Sequence, residues 1–98
     1  MSLKTDLVKK LTEYGENPRN EFDKIIHNNI EKLPELSEKR LSELYALRRK
    51  GERLCRIVPY SRKDIDELIG NEEVSVHNCV AELEDCFNIA DYIFSKSE

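Results

Sequence analysis

Between Val76 and Phe94 the apolar residues fall at Val76, Val80, Leu83, Phe87, Ala90 and Phe94, spaced 4, 3, 4, 3 and 4 apart. A second row, Cys79, Leu83, Cys86, Ala90 and Ile93, widens the stripe. On a helix these spacings gather both rows on one side and turn Glu84, Asp85, Asn88 and Asp91 outward. The pattern predicts a long carboxy-terminal amphipathic helix with a broad apolar face and an acidic back. Val74 and Val76 alternate as a strand would, but the helical period persists far longer and outweighs them.

The same period recurs upstream. Leu3, Leu7, Leu11 and Tyr14 predict a first helix from Ser2 to Tyr14, capped by Ser2 and left through a left-handed Gly15. Asn17-Pro18 predicts a restart, with Asn17 as the cap, Pro18 at the first helical position and Glu21 in the first turn. Phe22, Ile25, Ile26, Ile30 and Leu33 then share one side until Pro34, with His27-Asn28-Asn29 mostly off that stripe. Ser37 caps a third helix carrying Leu41, Leu44, Tyr45, Leu47, Leu54 and Cys55.

Gly51 leaves two readings of this third helix. It runs through to about Ile57 and stops before Pro59, or it ends at Lys50-Gly51 with Leu54–Tyr60 extended. A helical glycine costs about 1 kcal/mol relative to alanine, yet the continuous stripe favours the longer helix. Ser61 and Asp64 resemble a capping box ahead of a short helix with Ile65, Leu68 and Ile69, closed by Gly70. The chain after Phe94 is expected to fray. Short loops between amphipathic helices predict an all-α fold, a compact bundle of about five helices forming a single domain over residues 1–98.

Composition fits that picture, with 39% hydrophobic and 37% charged residues, since each helix of a small bundle needs one apolar stripe. The amino end has scattered charges and no continuous apolar run, so no secretory leader is expected there. No segment approaches the roughly 18 apolar residues of a membrane span. Cys55, Cys79 and Cys86 form no CxxC pair. Cys79 and Cys86 lie about 10 Å apart along one helix, too far for a disulfide. They read as small buried hydrophobes in a reducing, cytoplasmic protein.

The net charge of −4 conceals a segregation. Residues 1–35 balance at −1, residues 36–63 at +6 and residues 64–98 at −9. In the middle third Arg49, Arg53 and Arg56 follow i, i+4 and i+7 and predict a basic ridge beside the apolar stripe. These arginines either pair with the acidic last helix or with Glu43 and Glu52, or stay in water, or meet a phosphate backbone or an acidic protein. A helix-turn-helix over 61–69 and 74–94 is disfavoured, because its second helix opens with Glu72-Glu73 and stays acidic.

Catalytic and ligand chemistry finds little support. His27 and His77 stand about fifty residues apart, and no HExxH, EF-hand or Cys/His spacing occurs. Cys79 and His77, two apart on a helix, point to different sides. No GxSxG or glycine-rich phosphate loop is present. No metal, cofactor or catalytic residue is assigned.

The sequence therefore predicts a non-catalytic protein-interaction module, a regulator, inhibitor or assembly subunit. Its contact residues are expected to be Arg49, Arg53 and Arg56 on the basic ridge and Glu84, Asp85 and Asp91 on the acidic face. A homodimer is expected through Val76, Val80, Leu83, Phe87 and Phe94, and no membrane contact. The alternative is a nucleic-acid-binding accessory protein using the basic segment 39–63.

Overall fold

The computed structural model describes residues 2–55 and 74–96, with the backbone alone at 54–55 and 74–80. The elements are α1 (Leu3–Glu16), α2 (Glu21–Asn28), a 3-10 helix (Ile30–Glu35), α3 (Glu38–Cys55) and α4 (Val74–Ser95). The fold is an all-α bundle, as the periodicity predicts. The expected short helix around Ser61, Asp64 and Gly70 lies outside the described residues.

Each boundary has a local cause. Ser2 caps α1, its hydroxyl accepting from the Thr5 amide at 3.1 Å. The helix then continues past the predicted end at Tyr14 to Glu16, so Gly15 lies inside it, not in a left-handed exit. Gly15 is buried because α2 passes against it. A Cβ built there meets Ile26 Cγ2 and Ile30 Cδ1 at 3.0 Å. The absent side chain permits this close approach.

The cap of α2 is Asn20, three residues after the predicted Asn17. Its side-chain oxygen accepts from the Asp23 amide at 2.8 Å, and Asp23 in return accepts from the Arg19 amide at 3.1 Å. This reciprocal pair resembles a capping box and satisfies donors that a helix start leaves orphaned. Pro18 therefore belongs to the link and not to the first helical turn.

The predicted run from Phe22 to Leu33 breaks at Asn29. The Asn29 side chain donates to the Ile25 carbonyl at 2.7 Å, the acceptor its own amide would use in an α-helix. That amide bonds to Ile26 instead, at 3.0 Å, and the chain tightens into the 3-10 helix. Ser37 then starts α3, accepting from the Arg40 amide at 3.2 Å. This helix runs through a buried Gly51, in line with the longer of the two readings.

The principal helix contacts run α1–α2, α2–α4, α4–α3 and α3–α1. The core takes Leu7 and Leu11 from α1, Phe22, Ile25 and Ile26 from α2, and Leu41 and Leu44 from α3. From α4 it takes Leu83, Cys86, Phe87, Ala90, Ile93 and Phe94, the predicted stripe. Burying such side chains is worth roughly 1.5–3 kcal/mol each before conformational entropy is set against it. α4 lies antiparallel to α3, with Ile93 and Lys96 beside Ser37 and Arg40, and Ile89 beside Leu47 and Lys50.

This packing corrects the expected dimer seam. Leu83, Phe87 and Phe94 are at most 2% exposed, so the chain's own bundle already covers them. The side chains of Val76 and Val80 lie outside the described residues.

Candidate functional site

Two surface features are built from the middle helix, one on each side of it. The first is a polar cleft of about 650 Å³ between the end of α1, the link to α2 and the middle of α3. Glu13, Tyr14, Asn17, Arg19, Asp23, Arg48 and Glu52 line it. At its base Asp23 and Arg48, both buried, face each other across the bundle. Arg48 donates from Nε to Asp23 Oδ1 at 3.1 Å and from Nη2 to Oδ2 at 3.2 Å, a two-pronged pair. Nη1 also donates to Glu52, and the guanidinium carbon lies 4.1 Å from the centre of the Tyr14 ring.

The electrostatics follow from that enclosure. Burial by itself would lower the Arg48 pKa, but the hydrogen bonds and charge of Asp23 more than offset it, and the net shift is upward. Arg48 therefore stays charged at all ordinary pH. Burial raises the Tyr14 phenol above its usual value, against a smaller pull downward from Arg48. Among the described residues the lining contains no cysteine, histidine, serine or threonine, and its central cation is already engaged by two carboxylates. Arg48 acts as a pin that ties α3 to α2 across the bundle.

The second feature is a shallow, largely apolar groove of about 340 Å³ between α3 and α4. Glu43, Ala46, Leu47, Lys50, Arg53 and Ile89 line it. Leu47 is half-buried, whereas Ile89 is 45% exposed and Tyr92, one turn on, 53%. One turn before Ile89 stands the exposed Asp85, with the exposed Glu82 on the same side of α4. An apolar floor thus runs between an α3 rim that carries Lys50 and Arg53, with Glu43 paired to Arg40 at its far end, and an acidic rim on α4.

The predicted contact residues distribute as follows. Arg53 is exposed at the groove. Arg49, one turn before it on α3, is exposed, its guanidinium 5.9 Å from the Tyr45 ring centre. Tyr45 in turn stacks on Tyr14 of α1, with ring centres 6.5 Å apart. Arg49 and Arg53 stand one turn apart on α3 and reach different neighbours, Tyr45 and the groove, and Arg56 lies outside the described residues. On α4 Asp85 and Asp91 are exposed and Glu84 is half-buried. Asp85 shares the groove-side ridge with Ile89, while Glu84 and Asp91 occupy the neighbouring one.

Among the described residues the ion pairs are Arg40–Glu43, Arg48–Asp23 and Arg48–Glu52. None joins α3 to α4. The basic segment is thus partly occupied by neighbours in its own helix and by Asp23, while Lys50 and Arg53 have no described carboxylate within ion-pair distance. His27, exposed, bonds through Nδ1 to the Gly15 carbonyl at 3.0 Å, which requires the tautomer protonated there. Among the described residues no three His, Cys, Asp or Glu side chains gather as a metal would need. No described helix is long and apolar enough to cross a membrane.

Sequence reasoning missed Asp23–Arg48 and the groove. No family model matches this chain, and no curated protein or solved structure matches it.

Proposed function

We propose that this chain is a non-catalytic protein-interaction module, a regulator, inhibitor or assembly subunit, that binds through the groove between α3 and α4. The observation that carries the reading is the pairing of a partly exposed apolar floor, Ala46, Leu47 and Ile89, with rim cations Lys50 and Arg53 that form no ion pair among the described residues. Such a surface fits an amphipathic helix of a protein partner, its apolar face on Ile89 and Leu47 and its carboxylates toward Lys50 and Arg53. Exposed rim charges of this kind steer and orient more than they bind, so affinity rests on the apolar floor. A cytoplasmic setting agrees with the free, buried thiol of Cys86.

The test uses an acidic amphipathic helical peptide as probe, with the methyl resonances of Leu47 and Ile89 as readout. Binding shifts both, and Arg53→Glu weakens it on the order of tenfold, as the loss of a charge contact predicts. Unmoved Leu47 and Ile89 methyls at millimolar peptide would remove the groove as an interaction surface.

A further inference from the structure

We infer that the occupant of the groove is a second copy of this chain, in a two-fold dimer that lays the cationic rim of each α3 against the acidic ridge of the other copy's α4. The inference rests on the preceding reading of the groove as an interaction surface and adds the identity of the partner.

The argument begins with level and side. Because α3 and α4 are antiparallel and Lys50 lines the groove beside Ile89, one turn after Asp85, Lys50 and Asp85 stand at neighbouring heights. Lys50, Arg53, Glu82 and Asp85 are all exposed, and no ion pair joins these cations to these carboxylates within the chain. One surface therefore presents a positive strip and a negative strip side by side, with the apolar floor between.

Symmetry then selects the arrangement. A two-fold axis running along the groove preserves height and exchanges left for right. It sets the α3 of each copy over the α4 of the other, with Lys50 and Arg53 opposite Glu82 and Asp85 twice over. An axis across the helices would set α3 on α3 and bring cations onto cations. Only the first closes into an isologous dimer with charges matched. It also brings the two Ile89 and Leu47 pairs together and encloses the flank where Tyr92 stands.

The size of the surface sets the strength. α3 has 18 residues, about 27 Å of helix, and a face two helices wide covers on the order of 500 Å² per copy. A standard interface takes about 800 Å² per partner. The dimer is thus weak, and its exposed ion pairs make it salt-sensitive.

The experiment is sedimentation or light scattering on the full chain and two variants. One reverses the cations, Lys50→Glu with Arg53→Glu; the other reverses the acids, Glu82→Lys with Asp85→Lys. Circular dichroism confirms that each remains helical. The native chain is expected at twice its 11.5 kDa mass at high concentration, with a dissociation constant rising on the order of tenfold from about 50 to 500 mM salt. Each variant alone is expected to be monomeric, since like charges then face each other. Mixed together they are expected to form a one-to-one pair. A native chain monomeric at millimolar concentration would overturn the inference, as would a variant that still dimerises alone or a mixture that stays monomeric. None of these outcomes touches the interaction reading itself, which stands or falls with the peptide titration.

Discussion

Asp23 has no exposed surface and Arg48 very little, yet both are ionisable groups set among leucines and isoleucines. Burying one charge alone is costly; burying two is tolerated where hydrogen bonds satisfy both. Here Asp23 takes two bonds from Arg48 and one from the Arg19 amide, and Arg48 keeps Glu52 and the Tyr14 face. Asp23→Leu strands the guanidinium, and Arg48→Met strands the carboxylate. Each is expected to lower stability by about 3–5 kcal/mol. The double variant Asp23→Leu with Arg48→Met is expected to lose well under the sum, with a coupling of at least about 1 kcal/mol. Urea unfolding of the four proteins measures this, and losses that merely add would contradict the pin. The pair was hidden in the sequence because Arg48 reads as part of Arg48-Arg49-Lys50. Its register was visible all the same: Arg48 continues the stripe of Leu41 and Leu44, and Asp23 sits within that of Phe22 and Ile26.

The helices themselves were largely legible, because each carries one apolar stripe of helical period. Their boundaries were less so where polar residues offered rival bonds. Asn17 and Asn20 both suit a cap, and Asn17-Pro18 looked decisive; Asn20 prevails because Asp23 stands three residues on and returns the bond. Asn29 interrupts the Phe22–Leu33 stripe by substituting its side chain for its own amide, an event that periodicity does not register. The Asn20 cap carries a defect, in that its buried Nδ2 has no hydrogen-bond partner among the described residues. Removing the whole side chain, Asn20→Ala, is expected to lower stability by about 1 kcal/mol through loss of the cap. Asn20→Ser keeps an acceptor for the Asp23 amide and removes the orphaned donor, so it is expected to match or exceed the native stability. Chemical denaturation ranks the three; a serine variant as weak as the alanine one would show that the Nδ2 group is satisfied.

At the scale of the whole molecule, α4 has two faces with separate tasks. One face, Leu83, Cys86, Phe87, Ala90, Ile93 and Phe94, closes the bundle. The other, with Ile89 and Tyr92 exposed and Glu82 and Asp85 along it, meets the groove beside the cationic rim of α3. Among the described residues part of the charge split along the sequence, Lys50 and Arg53 against Glu82 and Asp85, thus lies on neighbouring strips of one surface. The apolar stripe that suggested a dimer seam belongs instead to the core. What distinguishes the two is the position of Ile89, which lies outside both rows of the stripe and so has no place inside. Substitutions on the two faces are therefore expected to separate. Leu83→Ala opens a cavity and is expected to lower stability by about 2–5 kcal/mol. Under conditions where it remains folded, its association should equal that of the native chain. Ile89→Asp, at an exposed position, is expected to change stability by less than about 0.5 kcal/mol while abolishing association. Thermal melts and solution mass on the same two samples decide the matter. If Leu83→Ala dissociates a dimer while still folded, or Ile89→Asp leaves it intact, the outer face is not the interface.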